Sequence, residues 1–399
     1  MANESGNNNH DWLIHAYEKL EPTNYITEFI QHNVRPDGRT FCACRSVSIL
    51  HSILVRNSVG SALVSFHGSG STVDEMSGVA GRVAAGTTTR VIAACTLLVG
   101  RPSPTTPTQG DIDITVTASP ISGPTFDIAG RDKNRYYDVS YIGGGGGGSS
   151  NNNNNHISLV GETVANISTI KSHNNNNGGG GSGTDIKEIE SYVRRTLRSS
   201  NYIDPNELGI VLGTSAFRIR ISLNIIDHGG NIRDCVLLAA CAALADLRLP
   251  TVVVNEDGIV SIVKTDDETN DDDDDDDEMT AEIDKSHGQT SRRKKRRKGG
   301  KYLSLGPVPV PLTVAILSPS PPTNPQQQSI LLADPTRLEE NISGGNIVSA
   351  VCNTNDEIVS YHKGGGGSDG YVTMEQMAAI AIMGFGRAKE LEELVLGRR

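Results

Sequence analysis

Apolar and polar positions change period along this chain, and each change marks an element. Tyr25, Ile26, Phe29 and Ile30 recur at helical spacing behind Pro22, a residue suited to a first helical turn, so a short amphipathic helix is predicted there. Residues 45–50 and 61–66 read as strands around a turn at Asn57–Gly60. Arg90–Val99 is a strongly apolar strand, and Ile112–Thr117 alternates as a half-buried strand does. Ile186, Ile189, Val193 and Leu197 form a helical stripe after Asp185 and Glu188, a pair spaced like a capping box. Phe217, Ile219, Ile221, Leu223 and Ile225 alternate with Arg218, Arg220, Ser222 and Asn224, the mark of a strand with one buried face. The turn His228–Asn231 leads into an Ala-rich helix, Cys235–Leu247. Its small side chains allow close packing on a sheet, and Pro250 is expected to stop it.

The second half continues in the same way. Thr251–Val254 and Ile259–Val263 pair as a hairpin across Asn255-Glu256-Asp257-Gly258. Val308–Leu317, Ser329–Leu332, Asn346–Cys352 and Ile358–Tyr361 are short strands, and a last helix runs from Thr373, with Gln376 completing a capping box, to about Leu396. Strands come in runs with helices between the runs. This favours an α+β layered fold with mixed β-sheets and packed helices over a parallel βαβ sheet.

Composition interrupts this pattern. Gly and Asn runs fill 143–155 and 174–183, and an acidic run, Asp271–Asp277, precedes a basic run, Arg292–Lys298. Such tracts bury too little apolar surface to offset chain entropy and are expected to be disordered, low-complexity insertions. The expected organisation is a flexible N-terminus (1–20), a first folded part (21–142), a Gly/Asn-rich insertion (143–183), a second folded part (184–263), a charged insertion (264–300) and a C-terminal folded part (301–399). The net charge of −11 sits largely in the acidic run, so it says little about affinity for nucleic acid. No apolar run is long enough to span a membrane, and Met1–His10 lacks the apolar stretch of a signal peptide. The six scattered cysteines contain no CxxC pair and read as free thiols, and the ten histidines show no metal-ligand spacing, so no metal or cofactor is expected.

Asn33-Val34-Arg35-Pro36-Asp37-Gly38-Arg39 is a tight cationic turn joining a helix to a strand. It resembles the opening motif of the RNase PH family. Similar landmarks follow in the family's order: Gly60–Val64, Thr88–Ala94, Val99-Gly100-Arg101-Pro102, Ala245–Pro250, Ala333-Asp334-Pro335-Thr336 with Glu339-Glu340, and Gly386–Leu391. The resemblance covers nearly all of the chain outside the insertions and implies an RNase PH-like fold. Leu20–Tyr25, Asp334-Pro335-Thr336 and Tyr361-His362-Lys363-Gly364 look most like the non-catalytic ring subunits of the RNA exosome.

Phosphorolysis of RNA needs cationic and backbone donors for phosphate, and carboxylates that place Mg²⁺ or act as acid. Active family members carry an Arg after the Gly-Gly turn, where the helix dipole also favours phosphate. Here that position is Ile232, and Arg233 beside it is turned by about 100° on a helix. Leu305 and Pro311 stand where active members keep two aspartates. The resemblance therefore implies a non-catalytic ring subunit supporting 3′–5′ RNA processing. Its implied partners are other RNase PH-like subunits, RNA-binding cap subunits and RNA, in a hetero-oligomer away from membranes. An active phosphate-dependent 3′–5′ exoribonuclease remains the alternative, resting on Arg233. Arg101, in a Pro-rich loop, matches a pore-lining loop of the family and is the candidate RNA contact; an isolated surface Arg is the plainer reading. The basic run is a candidate nuclear-localisation signal, implying nucleus and nucleolus as well as cytoplasm, or else a solvated linker. Arg35 and Arg39 are expected to pair with local carboxylates and carbonyls. Asp246 is expected to be a helix-end carboxylate near Arg248.

Overall fold

The computed structural model describes residues 16–18, 20–54, 58–68, 87–119, 122, 186–255, 260–262, 300–317, 329–364 and 371–397. Both low-complexity runs and the basic run lie outside the described residues.

The first helix, α1 (Pro22–Gln31), starts at proline, as its first-turn position predicts, and buries Ile26. The main sheet then collects β1 (Ser46–His51), β2 (Gly60–His67), β3 (Thr89–Gly100), β4 (Asp111–Ala118), β5 (Gly209–Val211) and β6 (Ser215–Asp227). Its order is β1-β2-β3-β6-β4, with β5 pairing the start of β6. Neighbours are antiparallel except β4, which lies parallel to β6 with Asp111 opposite Arg218. The sheet is therefore mixed. The strict alternation along β6 comes through as read: Phe217, Ile219, Ile221, Leu223 and Ile225 are buried, while Arg218, Arg220, Ser222 and Asn224 are exposed.

On the buried face lies α3 (Ile232–Ala245), which packs against β2, β3 and β6 on one side and against β11 (Val310–Leu317) on the other. Every residue of this helix except Arg233 is buried. A helix apolar all round is what a central layer demands, and its alanines keep the flanking sheets close. The helix differs from its sequence reading at both ends. It starts at Ile232, because Asn231 takes a left-handed conformation (φ 51°) that brings the chain into the helix early. It ends at Ala245, ahead of Pro250, because the Asp246 carboxylate is taken by the Ser52 hydroxyl and by the main-chain N–H of Ser61 (2.9 Å). Asp246 is the helix-end carboxylate expected, and it ties that end to the β1–β2 region. The Arg248 guanidinium stacks 4.4 Å from the centre of the Tyr302 ring.

The second sheet has the order β12-β11-β13-β14, with β12 Ile330–Ala333, β13 Ile347–Cys352 and β14 Ile358–Gly364. The last helix, α5 (Met374–Leu396), opens with the expected capping box between Thr373 and Gln376 and packs on β11 and β13. The helix α2 (Ile186–Ser199) buries Ile189, Val193 and Leu197 against β4 and α3. The pair β8 (Val252–Val254) and β9 (Val260–Ile262) forms the expected hairpin, and the two-residue strand β7 (Arg248–Leu249) pairs with β10 (Lys301–Tyr302). A short helix not foreseen from the sequence, α4 (Arg337–Ile342), carries its own capping box between Thr336 and Glu339. All six cysteines are free, and four of them are buried.

Candidate functional site

The N-terminus of α3 is where the family resemblance places phosphate, so the groups around it decide what it can bind. The Gly229-Gly230 turn approaches it under the segment 334–340. Gly230 has φ 106°, and a Cβ there would overlap the main chain of Thr336 and Arg337. Arg337 N–H donates to the Gly229 carbonyl (3.1 Å). The Asn231 N–H, a donor that an external anion could use, donates to Glu340 Oε1 at 2.7 Å. The chain's own carboxylate thus occupies the anion position that the helix start offers. Glu340 is half-buried as a residue, but its carboxyl is the enclosed end. Burial pushes it up to about 7, against the pull of the Asn231 hydrogen bond and of Arg45.

Beneath this contact lies an ionic cluster. Asp334, also left-handed (φ 49°), receives Arg45 N (2.8 Å), Arg45 Nε (2.9 Å), Arg45 Nη2 (2.7 Å), Arg39 Nη1 (3.2 Å) and Asn231 Nδ2 (2.7 Å). Burial opposes ionisation of Asp334. The Arg45 guanidinium outweighs it and holds the carboxyl well below the usual range. Arg35 forms a two-pronged pair with Glu339 and donates to the carbonyls of Ala43 (3.2 Å) and Ala333 (2.7 Å). All four charged partners of these pairs (Arg35, Arg45, Asp334 and Glu339) are buried. Arg39 does reach its neighbour Asp37, as expected, but the remaining carboxylates come from the other end of the chain. The cationic turn is therefore a structural clasp between the first strand and the second sheet.

The remaining candidates fall as follows. Ile232 is buried in the core at the first turn of α3. Arg233 Nη2 donates to Glu188 Oε1 (2.7 Å), which also meets His362 Nε2 (3.2 Å), so its guanidinium is held by α2 and β14. Asp234 is fully engaged. It accepts from Thr313 N (2.8 Å), Thr313 Oγ1 (2.6 Å) and Asn231 Nδ2 (2.8 Å), and burial pushes it up to about 6 against those bonds. Leu305 forms an isolated bridge with Ile203, and Pro311 sits inside β11 opposite Val351. Arg101 follows β3 into its loop, exposed. The structure does not bring it to the start of α3. What the sequence reading missed is Glu340. It stood only as part of the Glu339-Glu340 landmark, with no role given; the spacing of Thr336 and Glu339 marks a helix start and so places it on the first turn.

The 3′ exoribonuclease family matches this chain twice, by its domain 1 over residues 148–250 and by its domain 2 over residues 308–385. The chain is thus similar to both domains of that family. The first match begins among residues outside the description, and β1–β4, which precede it, complete the sheet that β6 continues. Among curated relatives, exosome complex component Rrp42 of Methanothermobacter thermautotrophicus is 41% identical over 75 residues, 19% of this chain and 27% of its own length. Human exosome complex component RRP45 is 26% identical over 179 residues, 45% of this chain and 32% of its own. Rrp42 of Sulfurisphaera tokodaii is 24% identical over 239 residues, 60% of each chain. The chain thus spans between about a quarter and three-fifths of these relatives. Of solved structures, an Archaeoglobus fulgidus exosome with RNA bound to the active site superposes with a TM-score of 0.54 at 19% identity, covering 96% of this chain and 99% of that one. An archaeal exosome core gives 0.53 at 18%, covering 98% and 100%. These likenesses establish the RNase PH-like fold.

The enclosed carboxyl makes a prediction. Glu340 ionises near 7 in the folded chain, above its ordinary 4.5, so the folded state binds the extra proton. That stabilisation is present below the unfolded value and lost as pH rises through about 7. Between pH 6.5 and 8, after most of the Asp234 titration, wild type should lose about 1 kcal/mol of unfolding free energy from this group. Glu340→Gln keeps an acceptor for Asn231 and should flatten that slope. Urea melts at the two pH values check it; an unchanged slope in the variant refutes the assignment.

Proposed function

We propose that this chain is a non-catalytic ring subunit of an exosome-type core, supporting 3′–5′ RNA processing and turnover by threading RNA toward a nuclease carried by other subunits. The observation that carries the reading is the Glu340 carboxylate seated on the Asn231 N–H, with Ile232 in place of a phosphate-binding Arg. A phosphate entering there would find the donor already held by the Glu340 carboxyl oxygen. Leu305 and Pro311 add the absence of metal-placing carboxylates at the two positions where the resemblance expects them. Losing phosphate contact and metal ligands should each lower turnover by roughly 10²–10³ or more. The names of the relatives, exosome components Rrp42 and RRP45, support the assembly; within it we read the chain as a counterpart of exosome component eight (ribosomal RNA-processing protein 43). Its partners are then RNase PH-like neighbours and RNA-binding cap subunits in a hetero-oligomer, with Arg101 at the pore touching RNA phosphates. The run Arg292–Lys298 directs entry to the nucleus and nucleolus, the protein also working in the cytoplasm.

The test is RNA decay by the purified chain with Mg²⁺ and inorganic phosphate. No nucleoside diphosphate above background is expected. Release at ordinary enzyme rates, abolished by Arg233→Ala, would establish the alternative of an active exoribonuclease.

A further inference from the structure

Three sulfur-bearing side chains meet at one small cavity. Cys42 and Cys44, in the loop before β1, line it together with Leu312 of β11 and with Met383, Arg387 and Glu390 of α5; its volume is about 230 Å³. The sequence reading looked for CxxC pairs and found none. Cys42-Ala43-Cys44 is spaced one residue closer, and the methionine that joins it comes from the last helix, so spacing alone gave no sign of the group. Both cysteines are free thiols, Cys42 exposed and Cys44 half-buried.

The loop that carries the two thiols is held in place by the ionic cluster. The Ala43 N–H donates to the Thr40 carbonyl (3.1 Å), and the Ala43 carbonyl accepts from Arg35 Nη1 (3.2 Å) and Arg39 Nη1 (3.1 Å). On either side, the Ala333 N–H donates to the Phe41 carbonyl (2.8 Å), and Arg387 Nη2 donates to the Arg45 carbonyl (3.0 Å). The main chain around both cysteines is therefore fixed from two directions. A ligand set whose backbone is already bonded loses little freedom on binding, which is what a metal site needs from its surroundings.

Thiolate and thioether sulfurs are soft donors and select soft cations. Zinc takes four ligands from Cys, His and carboxylates. Among the described residues no group of three or more His, Cys, Asp or Glu is placed to hold a metal. Glu390, the carboxylate of this wall, is paired with Arg387 Nη1 (2.7 Å). What remains is two thiols and a thioether. We propose that Cys42, Cys44 and Met383 bind one Cu(I) ion. Each thiol gives its proton to solvent as it coordinates, so the ion with its two thiolates carries one net negative charge. The buried Arg387 guanidinium in the same wall offsets that charge. Burial pushes the Cys44 thiol up to about 12, helped by Asp334 and Asp234 and opposed by Arg387 and Arg39. Cys44 thus stays protonated until a metal displaces the proton. The site needs neither a ring neighbour nor RNA.

The experiment titrates the full chain, reduced and kept free of oxygen, with Cu(I) against the chromogenic chelator bathocuproine disulfonate. Wild type should withdraw an equimolar amount of copper from the chelator, and X-ray absorption should show sulfur as the only nearest neighbour. Cys42→Ser, at an exposed position, should weaken binding at least about tenfold, the usual scale for a disturbed metal shell. Met383→Leu keeps the side-chain volume and removes the thioether. It should cost a similar factor and take one sulfur from the absorption spectrum. Both variants should melt as wild type does. Copper held as tightly by Cys42→Ser as by wild type would sit on other thiols, and the site is refuted. Unchanged affinity and an unchanged sulfur count in Met383→Leu refute it equally. Uptake only with copper in excess over chelator, or with nitrogen or oxygen neighbours, means an adventitious ion only and overturns the proposal.

Discussion

Asp334→Ala should abolish cooperative folding at 37 °C or lower stability by roughly 3–5 kcal/mol, the usual result of removing one partner from a buried ion pair. Arg45 donates to this carboxylate from its main chain, Nε and Nη2, and Arg39 from Nη1; both guanidiniums are buried. Without Asp334 each would keep its charge away from water with too few acceptors. The left-handed backbone at Asp334 adds to the loss, because alanine tolerates φ 49° less well than aspartate. Asp334→Asn separates the causes. Asparagine accepts left-handed φ and keeps one acceptor, so it should fall between alanine and wild type. Urea unfolding at pH 7 of all three proteins is the measurement, and an alanine variant within about 1 kcal/mol of wild type would mean the cluster is not what joins the two sheets.

Gly230→Ala should be nearly as damaging, by roughly 2–4 kcal/mol, through a different mechanism. Gly230 holds φ 106°, a conformation L residues rarely adopt, and an added Cβ would overlap the main chain of Thr336 and Arg337. Neither backbone can move without disturbing the Glu340–Asn231 contact at the start of α3. Gly386 is the control: it lies on α5, where a Cβ meets nothing within 4 Å, so Gly386→Ala should be neutral or slightly stabilising. Thermal melts of both variants test the contrast, and equal melting temperatures would remove the close approach as its cause.

Much of the fold was legible because local periodicity reports which face of an element is buried. β6, α2, the β8–β9 hairpin and α5 with its Thr373–Gln376 box follow from spacing alone. The side-chain identities behind the proposed non-catalytic role were equally legible, since Ile232, Leu305 and Pro311 carry no charged group wherever they sit. The tertiary structure decided the pairings across distant chain segments. Nothing in the sequence pattern joined Arg35 to Glu339, 304 positions away, or placed Asp334 under Arg45. Charged side chains carry no periodicity that names their partner. Likewise β4 lies parallel to β6, a direction set by the path of the intervening chain and not by alternation within either strand. The assignment of Glu340 to the start of α3 belongs to the same class. The sequence determined that Ile232 follows the Gly-Gly turn and Asn231, and only the fold, by bringing the second sheet against that turn, put the Glu340 carboxyl on the Asn231 N–H.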